Sequence, residues 1–166
     1  GGGTVGTTST TITAAVSFRE MLATDVQTVV AIEAESFHDA WNENMVTDEF
    51  DNSLTHYLIM EAEGKVVGYA GFWLVAGEAQ ITRVAVTKSQ RGKNYGNLLS
   101  AAIVEKAWEL DAEAVTLEVR ESNIAAQRAY ANCGFVSEGI RPNYYEDNHE
   151  NAVIMWVYRK GKNSDE

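Results

Sequence analysis

Arg91-Gly92-Lys93-Asn94-Tyr95-Gly96 separates a β-rich run, Ile81 to Val86, from an amphipathic helical run, Asn97 to Leu110. Backbone amides, two glycines and the cations Arg91 and Lys93 therefore gather where a strand becomes a helix. A helix N-terminus carries unpaired N–H groups and the positive end of its dipole, which suits a phosphate or pyrophosphate. A second segment follows: Leu117-Glu118-Val119-Arg120 ends a strand and leads to Asn123, Ala126, Tyr130 and Gly134-Phe135. Strict alternation puts Val115, Leu117 and Val119 on one face of that strand, and Glu118 with Thr116 and Arg120 on the other.

Outward from these two segments the chain reads as one α/β unit. A short strand near Val16 to Glu20 opens it. Thr24 then reads as an N-cap with Gln27 at the capping-box spacing, and Val26, Val29, Val30, Ala34 and Phe37 form a helical stripe. A second helix runs from about Glu43 to Phe50. Tyr57 to Ala62 and Lys65 to Val75 are strands joined at Glu63-Gly64, and Ala79 to Val86 follows through Ala76-Gly77-Glu78. The helix after the glycine loop shows Tyr95, Leu98, Leu99, Ala102, Ile103 and Leu110 on one side. Strand Ala114 to Arg120, helix Ile124 to Asn132, and strands Phe135 to Arg141 and Ala152 to Arg159 complete a β-α-α-β-β-β-α-β-α-β-β order, a mixed α/β class. Residues 1–15, Gly/Thr-rich and uncharged, read as a leader or extension able to add to a sheet edge; 16–160 form the domain and 161–166 a polar tail.

Bulk properties narrow the function. A chain of 166 residues with 45% hydrophobic content supports one well-cored domain, and no apolar run reaches the roughly 18–20 residues of a membrane span. Cys133 is the one cysteine, so no internal disulfide forms. With no secretory signal, a cytoplasmic location is expected. Placed before Gly134 at a helix end, Cys133 reads as a small buried hydrophobe. A net charge of −11 argues against general nucleic-acid binding. The charge is also unevenly spread. Glu20 through Gly64 holds eleven carboxylates and no Lys or Arg, whereas Ala79 through Val104 holds Arg83, Lys88, Arg91 and Lys93 and no acid. That suggests one end for an anionic ligand and another for a cationic one, although acidic helix surfaces also serve solubility alone. His38, His56 and His149 lack metal-ligand spacing, so no metal is expected.

Together the two segments resemble the GNAT N-acetyltransferase superfamily, and within it the RimI family, which acetylates the N-terminal alanine of a small-subunit ribosomal protein. The likeness spans roughly Val16 to Arg159. It implies a single-domain GNAT fold, a central mixed sheet flanked by helices, with acetyl-CoA as co-substrate. The family's loop pattern is Arg or Gln, two residues, Gly, one residue, then Gly or Ala. Asn94 replaces its first glycine, and Asn is the side chain that best tolerates left-handed geometry.

By this resemblance Arg91, Gly92, Lys93, Asn94, Tyr95 and Gly96 hold the pyrophosphate, and backbone groups of Val84, Ala85 and Val86 align the pantetheine arm and acetyl carbonyl. Asn123 contacts the pantetheine or orders the loop, with a plain helix N-cap as the equal alternative. From composition alone Glu118 would be a strand carboxylate paired with Arg120; the resemblance makes it the general base. An N-terminal amine has a pKa of about 8 against about 10.4 for lysine, so a carboxylate suffices for it. Tyr130 is a core aromatic by periodicity and the general acid for the thiolate by resemblance. Tyr144 and Tyr145, in Arg141-Pro142-Asn143-Tyr144-Tyr145, shape the acceptor groove by the same likeness, with a structural hairpin as the plain alternative. Glu35, Asp39 and Glu43, in the cation-free stretch, are expected to meet a basic acceptor segment. The expected function is α-amine acetylation of a basic ribosomal protein. Acetylation of small amines or lysines, and a non-catalytic CoA-binding domain, are the rivals.

Overall fold

The computed structural model describes residues 15–160; the expected edge pairing of 1–15 and the tail 161–166 fall outside them, save Ala15. The elements are β1 (Val16–Glu20), α1 (Val26–Ser36), α2 (Glu43–Asp51), β2 (Thr55–Ala62), β3 (Lys65–Val75), β4 (Glu78–Val86), α3 (Tyr95–Glu109), β5 (Ala114–Arg120), α4 (Ile124–Asn132), β6 (Val136–Arg141) and β7 (Ala152–Tyr158). Their order is the one the sequence predicts. The strands form one mixed sheet, β1-β2-β3-β4-β5-β7-β6, antiparallel except where β4 meets β5.

The sheet has a core on each face. One packs Leu99, Ile103 and Ala107 of α3 on Met60, Ala70, Phe72, Val115, Leu117 and Met155. The other packs Val29 and Ile32 of α1 and Val46 of α2 on Tyr57, Ile59, Tyr69 and Ala85. Tight turns join the strands: Glu63 and Gly64 at φ 52° and 78°, and Ala76 and Gly77 at 51° and 81°. Gly71 is required by contact, since a methyl there would fall 2.0 Å from the Tyr57 ring.

Three local expectations are corrected. Thr24 caps nothing; a single 3-10 turn at Ala23–Asp25 precedes α1, and the Asp25 carboxylate accepts the Leu22 N–H at 2.7 Å while pairing with Arg19 at 2.8 Å. In α1 the expected Val26, Val29, Val30 and Phe37 do pack on the core, joined by the buried Ile32 and Glu33, whereas Ala34 is exposed. In α3 Leu98 is exposed, and Val104 and Ala107 take the core positions beside Leu99 and Ile103. In both helices most of the expected stripe packs on the core, and the differences fall at its edge, where Ala34 and Leu98 turn to solvent.

Candidate active site

The site begins with a parting of strands. β4 pairs with β5 only through Glu78↔Ala114, Ala79↔Val115 and Gln80↔Thr116. Thr82 is an extra residue: Ile81 faces Phe72 and Arg83 faces Gly71, and this bulge bends β4. From there Val84 and Val86 leave β5 and line a cleft of about 470 Å³ with the Arg91–Gly96 loop, Asn97, Ser100, Asn123 and Tyr130. A volume of this order suits a small-molecule ligand. The parting has no signature in sequence periodicity.

The loop adopts the geometry the sequence asked for. Gly92 lies at φ 86° and Asn94 at φ 69°, in the left-handed region, and Asn94 is the N-cap residue of α3. Its carboxamide accepts the Asn97 side-chain N–H instead of capping a backbone amide. The first turn of α3 thus keeps its N–H groups for a ligand. A methyl on Gly96 would meet no atom within 4 Å, so the glycine borders open cleft. Across the gap Ala125, Ala126 and Ala129 of α4 keep the wall shallow; Ala126 belongs to the second sequence segment, and the small side chains of Ala125 and Ala129 beside it are the signal for the other two.

Arg91 and Lys93 are engaged within the protein. Arg91 Nε donates to Val86 O at 3.0 Å and its Nη2 to Ser36 Oγ at 3.0 Å and Glu35 O at 3.3 Å, placing a cation at the C-terminal end of α1. Lys93 Nζ donates to Gln90 Oε1 at 2.8 Å. Of the residues expected to hold the cofactor, Ala85 and Lys93 do not line the cleft; the Ala85 side chain is buried in the α1 core. Asn123 caps α4 through Oδ1, which accepts the Ala126 N–H at 3.1 Å, and also lines the cleft.

Tyr130 reaches the same cleft from α4. Its ring meets Phe135 edge-on at 5.6 Å, so core packing and cleft lining coincide. Desolvation pushes its phenol up to about 12, partly offset by the Ser100 hydroxyl. Cys133 is half-buried, with burial raising its thiol.

Glu118 stands on the opposite face of the sheet from the α3 core, its side chain 12% exposed. It does not pair with Arg120. Gln80 Nε2 donates to both its oxygens, at 3.1 and 3.3 Å, and Arg141 Nε lies 3.7 Å away. Arg120 instead clamps the loop between β6 and β7: it meets Asp147 at 3.0 Å and Glu150 at 3.3 Å and lies 4.0 Å from the Tyr145 ring centre. That holds Tyr144 and Tyr145, themselves in edge contact at 5.1 Å, where the Glu118 charge raises both phenols, though less than burial does. Tyr145 is pushed up to about 12. The Asp39 charge also raises the Tyr144 phenol, less than burial and Glu118 do.

The acidic stretch is largely spent within the fold, which narrows the two-ended charge reading to the few carboxylates still open to solvent. Glu33, fully buried in α1, accepts Arg83 Nε at 3.1 Å and the Trp41 N–H at 2.8 Å. Burial raises its carboxyl above the usual range, against the pull of these donors. The Arg83 guanidinium sits 4.2 Å from the Phe37 ring centre and 4.3 Å from that of Trp41, and reaches Asp39 O at 3.2 Å. Arg83 is therefore engaged by the loop after α1 and does not line the cleft. Glu35 is placed away from Asp39: it accepts the Thr87 hydroxyl at 2.6 Å and the Lys88 N–H at 2.8 Å, which lower its carboxyl. Glu49 accepts from Tyr57 at 2.6 Å and Trp73 Nε1 at 3.1 Å. Asp39, its carboxylate 3.7 Å from Arg83 Nη2 but its side chain 80% exposed, and Glu43, exposed in the first turn of α2, face solvent. Among the described residues no cluster of His, Cys, Asp or Glu is arranged to hold a metal, and no helix is long and apolar enough to cross a membrane.

Comparison with known proteins agrees with this geometry. The model of the Acetyltransferase (GNAT) family matches residues 26–135. A Bacillus subtilis protein named as a candidate ribosomal protein bS18-alanine N-acetyltransferase is 43% identical over 140 residues, 84% of this chain and 93% of the relative. The crystal structure of the Escherichia coli ribosomal-protein-S18-alanine N-acetyltransferase superposes with a TM-score of 0.80 at 26% identity, over 89% of this chain and 97% of that one. Ard1 from Thermoplasma volcanium gives 0.77 at 30% identity, over 89% and 99%.

Proposed function

Since the chain belongs to the GNAT acetyltransferase family, we propose that it transfers an acetyl group to the N-terminal α-amine, alanine foremost, of a basic ribosomal protein. The observation that carries this reading is the placement of Glu118 and Tyr130 on the two sides of the β4–β5 parting, one facing the acceptor loops and the other the cleft. The names of the relatives supply the class of acceptor. Acetyl-CoA, the family's acyl donor, fits the cleft: the free amides of the first α3 turn and the open space at Gly96 suit its pyrophosphate, and Val84 and Val86 border its arm. It supplies an acetyl group activated as a thioester.

The chain's own groups do the rest. Glu118, oriented by Gln80, takes the proton of the incoming ammonium, directly or through one water. Tyr130, a neutral phenol at physiological pH, donates a hydrogen bond to the departing sulfur. The exposed Glu43, and Asp39 in so far as Arg83 at 3.7 Å leaves it exposed, favour a cationic chain at the acceptor mouth. A thiol-release assay tests the reading with Ala-initiated basic peptides, their acidic counterparts, polyamines and lysine peptides. Turnover concentrated on the basic Ala-initiated peptides, with kcat/KM falling as salt rises, is the expected result. Equal rates on acidic and basic peptides at low salt, or preference for polyamines, would overturn it.

A further inference from the structure

The sheet face that carries Glu118 continues as an aromatic floor. Strand registers set Trp73, Gln80, Thr116, Trp156 and Val136 in one row across five strands. The next row holds Val75, Glu78, Ala114 and Tyr158. Here α1 and α2 pack over β2, β3 and β4 and leave this end open, with Trp73 38%, Val75 51%, Tyr158 52% and Val136 61% exposed. Trp156 and Tyr158 stack at 5.8 Å with their planes 6° apart. An exposed apolar patch of this kind marks an interaction site more often than a chance surface.

Three carboxylates border the floor: Glu49 on Trp73 Nε1, Glu78 in the second row, and Glu138, which accepts the Tyr158 hydroxyl at 3.2 Å. Among the described residues no lysine or arginine pairs with any of them. Aromatic faces beside unpaired carboxylates recognise a cation, and a planar guanidinium best. The floor also runs on from the base: Ile154 is the cross-strand partner of Glu118, and Trp156 and Tyr158 lie two and four residues further along β7. At about 3.3 Å per residue, that is about 7 and 13 Å.

We propose that the acceptor polypeptide, after presenting its amine at Glu118, continues over Trp73, Trp156 and Tyr158, and that a cationic side chain about two to four residues beyond the first stacks there against Glu78 and Glu138. The proposal rests on the α-amine acetylation reading above. It adds a specificity subsite made of residues distinct from the reacting groups.

The test is a length series of Ala-initiated peptides of three to eight residues carrying arginine or glutamate at positions three to five, assayed by thiol release. In the wild-type protein kcat/KM should rise about tenfold from the three- to the eight-residue arginine peptide, chiefly through KM, and glutamate should abolish the rise. In Trp156→Ala/Tyr158→Ala the ratio of long to short peptide should fall toward one, while Trp156→Phe/Tyr158→Phe should keep it. Turnover on all lengths with no length dependence in the wild type would overturn the floor and leave the α-amine reading standing. No turnover on any peptide would overturn both. A homodimer by sedimentation that Tyr158→Glu dissociates would assign the floor to a second copy and overturn the proposal as well.

Discussion

Gln80 Nε2 bridges the two carboxylate oxygens of Glu118 at 3.1 and 3.3 Å, across the last point at which β4 and β5 still pair. The contact fixes the carboxylate where the strands begin to part. Gln80→Leu should lower kcat about tenfold through loss of this orientation, with little change in acetyl-CoA affinity. Single-turnover kinetics beside calorimetric titration of acetyl-CoA checks it, and unchanged kcat would show that Glu118 needs no such support.

The Tyr130 phenol, raised to about 12, stays protonated across the working range. The rate should therefore climb with pH as the acceptor amine, with a pKa of about 8, loses its proton, and should hold level to pH 10. Tyr130→Phe should reduce kcat about 10- to 100-fold while the ring keeps its place against Phe135. A rate–pH profile falling between pH 8 and 10 in the wild type alone would contradict the phenol's elevation. Lost stability with normal kcat in Tyr130→Phe would make it a packing residue only.

Glu33 and Arg83 tie the loop after α1 to β4. Arg83→Met leaves a fully buried carboxylate without its cation and should destabilise the fold by about 3–5 kcal/mol; adding Glu33→Gln should restore much of that. Because burial raises the Glu33 carboxyl in the folded state, its contribution grows as pH falls through that raised value toward the ordinary 4.5 and is lost above it. Denaturation with pH followed for wild type and Glu33→Gln isolates this contribution. An Arg83→Met midpoint equal to wild type would show the pair to be dispensable.

Asn94 holds φ 69° with its side chain on Asn97 and no backbone cap. Asn94→Gly should keep or tighten acetyl-CoA binding within about threefold, since glycine adopts that backbone at no steric cost. Weaker binding by titration would show that the Asn94 side chain holds the loop or meets the ligand.

Strand order and boundaries were legible because alternation in β5 and β7 and the glycine-marked turns are local signals; Ala114–Arg120 and Ile124–Asn132 match to the residue. The left-handed Asn94 was legible for the same reason. What stayed hidden depends on tertiary contact. The pairing of Arg120 with Asp147 and Glu150 in place of Glu118, and the burial of Glu33 under Arg83, join residues far apart in sequence, while the bulge at Thr82 that opens the cleft is a break in register that alternation does not mark. The charge pattern misled most: it counted Glu35 toward the acceptor and Arg83 toward the anion, while hydrogen bonds and an ion pair within the fold engage them.

Glu118→Gln offers the most direct measurement, because the amide keeps the size of the side chain and removes only its capacity to take a proton. Turnover of an Ala-initiated basic peptide at neutral pH should fall on the order of 10²–10⁴-fold, with the acetyl-CoA dissociation constant unchanged. Wild-type turnover in Glu118→Gln under those conditions would contradict the assignment of Glu118 as the base.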